Sequence, residues 1–94
     1  MRHRVTLEEI DAATAPQFEH ELAQAVRNAR NDGGVLDLDF SAVTFMDSTG
    51  IAALIAANQD LGGPGRLRIR NAPPAIRRVL GVLAMTDFLA DDDS

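Results

Sequence analysis

Hydrophobic positions recur along the chain at two periods, and the switches between them mark out the elements. Val5 and Leu7 alternate with polar neighbours, as on a short strand. In ATAPQFEHELAQAVRNAR the period becomes helical, and Phe18, Leu22, Ala25, Val26 and Ala29 fall on one face. Thr14 suits the N-cap, and Pro16 falls in the first turn, where a missing N–H costs nothing. Gln17 completes a Thr-x-x-Gln capping box, and Asn31-Asp32-Gly33-Gly34 ends the helix. VLDLDF then reads as a strand and SAVTF as an extended or irregular connection. A second helix runs from about Ser48 to Leu61, with Ile51, Leu54, Ile55, Asn58 and Leu61 along one stripe. Ala52, Ala53, Ala56 and Ala57 are small enough to let it lie close to a sheet, and Gly62-Gly63-Pro64-Gly65 stops it. RLRIR alternates arginine with aliphatic residues, which implies a strand with one buried and one wet face. Pro73-Pro74 opens a third helix with Ile76, Val79, Leu80 and Leu83 inward and Arg77 and Arg78 outward.

Strand and helix alternating at such short spacings imply right-handed βαβ crossovers. The fold class that follows is α/β: a small, mainly parallel (mixed) sheet of about four strands, backed by helices. Residues 1–90 read as a single domain, and Asp91-Asp92-Asp93-Ser94 as a solvated, disordered acidic tail.

Charge narrows the choice of partner. The chain has a formal net charge of −5. Arg2, Arg4, Arg27 and Arg30 face nine carboxylates in residues 1–47, while five arginines balance five aspartates in residues 48–94. With no basic block and this acidic balance, a phosphate backbone is a poor partner, so no direct nucleic-acid contact is expected. Cysteine is absent, which removes disulfides and thiolate metal sites. The start, MRHRVTLEEID, has no apolar run suited to a signal peptide, and Ile51 to Ala57 is far too short to span a bilayer. No membrane insertion is expected, and the cytoplasm is the expected compartment.

FMDSTG, residues 45–50, concentrates the candidate chemistry. Ser48 as a nucleophile would need a base, and Met46 stands where a nucleophile elbow has its first glycine. His3 at the terminus and His20 among Glu19 and Glu21 are poor candidates for that base. Asp37 and Asp39 share a strand face, and Asp47 lies at a strand-to-helix junction, a distribution compatible with magnesium-dependent phosphotransfer. Against that chemistry, no lysine is available for a phosphate, and solvent-facing carboxylates explain the pair as well. GGPG lacks the Gly-Lys-Ser/Thr of a phosphate loop, and the two histidines are not spaced as a metal pair. No catalytic residue, metal or cofactor is therefore expected. What remains is the helix start. Asp47 can cap it by accepting from the N–H of Thr49 or Gly50, and its charge suits the macrodipole. Gly50 in the first turn costs up to about 1 kcal/mol relative to alanine, a cost that makes sense where a backbone or partner must come close. Ser48 and Thr49 would then form an accessible hydroxyl patch. A phosphoryl group there would add roughly −1.5 to −2 charge while the helix N–H groups tolerated it, so a docked partner would feel the change more than the fold.

DFSAVTFMDSTGIAALIAA resembles the central motif of STAS domains, the sulfate-transporter and anti-sigma-factor-antagonist family. Asp39-Phe40-Ser41, Val43, Phe45 to Ile51 and Leu54 follow its pattern almost position by position. Upstream, Asp11, Thr14, Ala15 and Pro16 are similar to the family's Leu-Asp-x-x-Thr-Ala-Pro segment, and GGPGRLRIRNAPPAIRRVL is similar to its downstream Gly-Gly and Pro pattern. The resemblance covers about residues 8–90. It implies a STAS-like fold in which the turn opens the second helix, and it implies that Ser48 is the residue phosphorylated by an ATP-dependent anti-sigma kinase and reset by a serine phosphatase. Unphosphorylated, such an antagonist binds the anti-sigma factor and releases the sigma factor. Asp11 and Asp39 are implied to lie near the site, with Asp47, Thr49 and Gly50 shaping it. Family members usually begin with one more strand, and longer ones continue past Phe88-Leu89, so exposed apolar surface here would be covered by a partner or a homodimer. The alternative is a non-catalytic STAS scaffold subunit of a transporter or signalling complex, and a metal-dependent enzyme built on the aspartates stands third.

Overall fold

Leu36, Leu38, Leu67 and Ile69 are buried on one face of a three-stranded parallel sheet, and the helices of the crossovers close over them. The computed structural model describes residues 1–63 and 65–82. Its elements in chain order are β1 (Arg2–Arg4), β2 (Glu9–Ile10), α1 (Ala15–Arg30), β3 (Leu36–Asp39), β4 (Phe45–Met46), α2 (Ser48–Leu61), β5 (Leu67–Arg70) and α3 (Pro74–Val82). The main sheet has the order β1-β3-β5, and β2 and β4 form a separate two-stranded parallel ladder. The α/β class therefore stands, with every pairing among the described residues parallel and the strands divided three and two.

The helical periodicity maps directly onto α1. Ala15, Phe18, Leu22, Ala25, Val26 and Ala29 are its buried residues, and Phe18 meets Phe40 edge-on at 6.5 Å between ring centroids. The expected capping box does not form: Thr14 makes no side-chain cap, because its hydroxyl is turned back to accept from Asp11 N–H at 2.9 Å and to donate to Glu9 C=O at 2.8 Å. Local side-chain bonding has outcompeted the helix end for this threonine. Gly34 N–H then closes the far end of α1 on Ala29 C=O at 2.7 Å, with Gly33 and Gly34 both at positive φ.

Along α2 the inward stripe also differs in part. Ile51, Leu54 and Leu61 are buried as expected, but Ile55 is exposed and Ala53 and Ala57 take inward positions. The alanines let α2 approach α1 rather than the sheet. Ala52, Ala53, Ala56 and Ala57 line a shallow groove of about 200 Å³ against Leu22, Ala23 and Val26. Asn58, an odd member of an apolar stripe, is explained by the sheet edge beside it. Its Oδ1 accepts from Leu67 N–H at 3.3 Å, occupying a main-chain donor on the outer edge of β5. Gly62, at φ 108°, ends the helix.

The first strand lies at Arg2–Arg4 rather than at Val5–Leu7, although Val5 continues the ladder by donating to Asp39 C=O at 3.0 Å. His3 is not ragged; it sits in β1 facing α1. Ile76 and Leu80 of α3 are buried and Val79 packs against the core. Leu83 and the tail at 91–94 lie outside the described residues. Among the described residues no helix is long and apolar enough to cross a membrane.

Candidate functional site

The turn at residues 47–50 is built by the small β2–β4 ladder. Ile10 pairs with Met46, and Asp47 N–H continues the pairing by donating to Ile10 C=O at 3.1 Å. Asp11 and Asp47 are therefore the residues that leave two adjacent parallel strands side by side, the first into α1 and the second into α2. This is how Asp11 comes beside the turn despite its distance in sequence.

Asp47 occupies the N-cap of α2 in an extended conformation, at φ −111° and ψ −168°. Its Oδ1 accepts from Thr49 N–H at 2.9 Å and from the Thr49 hydroxyl at 2.5 Å. Those bonds, the hydroxyl's first and then the N–H, hold the Asp47 carboxyl below the ordinary 3.8 of an aspartate. The cap is thus directed at Thr49 and leaves Ser48 aside. Ser48 is exposed at the first helical position, and its hydroxyl has no hydrogen-bond partner among the described residues. The two hydroxyls expected to form one accessible patch are divided in their roles: Thr49 is tied to the cap, and Ser48 alone is open.

Gly50 also differs from expectation. It is buried, and a Cβ at its position would lie 2.6 Å from Met46 Cγ and 2.8 Å from Ile10 Cγ2. The close approach that requires glycine is made by the protein's own β2–β4 ladder, not by a docking partner. Phe45, one strand position before Met46, is 49% exposed and is the large apolar side chain presented beside the turn.

Asp11 plays a matching part at the head of α1. Its Oδ1 accepts from the N–H groups of Ala13 and Thr14 at 3.0 and 3.1 Å. Asp39 makes its bonds outside the turn. Its Oδ1 accepts from Ser41 N–H at 2.9 Å and Asn71 Nδ2 at 3.2 Å, and its Oδ2 lies 4.0 Å from Arg2 Nη2. Those partners, the Ser41 N–H foremost, also lower its pKa. None of them belongs to the 47–50 turn, so no hydrogen bond or ion pair among the described residues joins Asp39 to Ser48. Asp37 shares the sheet face with Asp39 as the alternation required, and its Oδ1 lies 3.4 Å from both Arg68 Nε and Arg70 Nε, within ion-pair range but without hydrogen-bond alignment. The aspartate pair considered for metal chemistry is thus matched to arginines, and no group of three or more potential metal ligands occurs among the described residues.

The histidines are committed elsewhere. His3 Nε2 lies 2.5 Å from Glu21 Oε2, and His20 Nε2 lies 3.2 Å from Gln24 Nε2. Sequence reasoning missed the His3–Glu21 contact, together with the Thr6 bonds to the same carboxylate at 3.0 and 3.1 Å. A buried-side position in β1 facing Glu21, which is three residues from Phe18 on the helix, was the available signal.

A comparison with curated proteins gave no match. The family model described as "Mlab, STAS domain" matches residues 4–90, a span holding the whole β2–β4 ladder, the capped turn and helices α1, α2 and α3. On that match the chain belongs to the STAS family.

Proposed function

We propose that this STAS domain is an anti-sigma factor antagonist of the cytoplasm, acting by binding and not by catalysis. In its unphosphorylated form it binds an anti-sigma factor of the ATP-dependent serine kinase type and so releases the sigma factor. Phosphorylation of Ser48 by that kinase ends the binding, and a serine phosphatase restores it. The observation that carries this reading is the division of labour in the turn: Asp47 caps α2 through Thr49 and leaves the exposed Ser48 hydroxyl without an internal role. A phosphate on Ser48 would sit at the positive end of α2, where helix N–H groups and the macrodipole favour an anion, so the fold would accommodate it. A partner in contact with the same turn would meet new bulk and roughly two negative charges.

The chemistry of transfer belongs to the kinase, and neither histidine serves the serine as a base: His3 lies against Glu21 and His20 against Gln24. One observation favours a second reading, a scaffold subunit of a transporter or signalling complex. The matching family model is described by the Mlab name and not as an antagonist. Intact mass after incubation with ATP and a panel of kinase-type anti-sigma factors separates the two. The antagonist gains one phosphate, and Ser48→Ala gains none. Absence of transfer from every kinase, with Ser48→Asp binding each partner as wild type does, would leave the scaffold reading.

A further inference from the structure

The two edges of the main sheet are finished differently. On β5, Asn58 of α2 reaches over to bond Leu67 N–H. On β1, Met1 C=O accepts from Asp37 N–H and Val5 N–H donates to Asp39 C=O, so the odd-numbered residues face β3. The main-chain groups of Arg2 and Arg4 therefore point away from the sheet, along an edge that no strand among the described residues occupies.

Side chains give that edge a chemical preference. The register places Arg2 opposite Asp37 and Arg4 opposite Asp39, and these in turn opposite Arg68 and Arg70. Across the outer face the charges thus run positive on β5, negative on β3 and positive on β1. Arg2 is 61% exposed, its nearest carboxylate contact is the 4.0 Å approach to Asp39, and Arg4 has no partner among the described residues. The next strand in this series is one with carboxylates two residues apart. A second copy is disfavoured, because pairing β1 with β1 would set arginines against arginines. The same charges that bar self-association define the strand the edge would accept.

We propose that the β1 edge is a docking site for an acidic strand of a partner protein, added to the sheet by main-chain hydrogen bonds at Arg2 and Arg4. Two alternate Asp or Glu side chains of that strand pair with the two guanidinium groups. This surface is separate from the Ser48 turn and would operate whatever that serine does.

The probes are two synthetic strands, Thr-Val-Glu-Val-Glu-Val-Thr and its counterpart with Lys for both Glu, titrated at low salt while amide exchange is followed by NMR. The acidic strand binds about tenfold more tightly, the fold-change expected of two cross-strand charge pairs, and slows exchange at the Arg2 and Arg4 amides. Arg2→Gln/Arg4→Gln, which avoids new repulsion against Asp37 and Asp39, abolishes the discrimination, and Arg2→Glu/Arg4→Glu reverses it. Equal binding of the two strands overturns the proposal, as does protection located elsewhere or discrimination retained by the Gln variant. The 94-residue chain carrying Asp91→Asn and Asp93→Asn binds as wild type does. A gain of more than about tenfold would overturn the assignment to a partner by making the chain's own acidic segment the occupant.

Discussion

Two sets of aspartates invite the same suspicion of chemistry, and the structure treats them in opposite ways. On the outer sheet face, Asp39 accepts from Ser41 and Asn71 and lies near Arg2, while Asp37 Oδ1 sits in ion-pair range of Arg68 and Arg70 without a hydrogen bond to either. At the start of α2, Asp47 is also engaged, but its engagement with Thr49 leaves the neighbouring Ser48 exposed and uncommitted. The first arrangement uses carboxylates to hold strands and loops together. In the second, the carboxylate shapes a turn whose open group is the hydroxyl.

The largest expected effect tests whether the turn is internally packed. Gly50→Ala forces a methyl group into Met46 and Ile10, an overpacking cost of about 1–3 kcal/mol, offset by up to about 1 kcal/mol of helix propensity. The net change lowers the thermal midpoint, at roughly 4–8 °C per kcal/mol for a domain of this size. An unchanged or raised midpoint would mean that glycine is there for a partner after all.

A smaller effect is expected on the sheet face. Asp37→Ala leaves Arg68 and Arg70 side by side and destabilises by about 0.5–1 kcal/mol, discounted for screening around the half-exposed Arg68. Denaturant unfolding in low and high salt checks this, since the difference shrinks as salt rises. If Asp37→Ala instead altered phosphate transfer to Ser48, the separation of the two regions would fail.

Acid titration sharpens the comparison further. The Asp47 carboxyl is held below its unfolded value in the native turn, so its contribution is complete above about pH 4 and is lost as pH falls through the lowered native value. The gap in thermal midpoint between wild type and Asp47→Ala accordingly narrows on acidification below that point. Asp47→Asn, still a good cap, shows a smaller gap at neutral pH. A gap that widened towards acid pH would contradict the bonding described for Thr49.

The smallest effect belongs to Ser48 itself. Ser48→Ala removes an exposed hydroxyl with no internal partner, and its stability stays within about 0.5 kcal/mol of wild type in denaturant unfolding.

Much of this was legible in the chain, and what was not has a common physical cause. The burial of Phe18, Leu22, Ala25, Val26 and Ala29, and the alternation in β3 and β5, followed from periodicity because each element is long enough to show one. The Asp47 cap was legible because it is a contact between residues two apart. The β2–β4 ladder was not: its strands have two residues each, too few for a period, and they come from distant parts of the sequence. With it went any reading of Asp11's place from the residues alone, which only the family resemblance supplied, and the internal reason for Gly50. Thr14 was misread for a related reason, since its partners at Asp11 and Glu9 are set by that same excursion of the chain. Ile55 fitted the helical stripe by angle, but α2 turns its alanines towards α1, and the neighbour that decides this is invisible to a local pattern.

Negative charge at Ser48 is proposed to act on a partner and not on the fold. The decisive titration sets wild type and Ser48→Asp against the kinase-type anti-sigma factor that transfers phosphate to the wild type. The variant, folded as wild type by circular dichroism and equal in thermal midpoint to within a few degrees, is expected to bind at least tenfold more weakly. Equal affinity of the two proteins would contradict a switch at this serine.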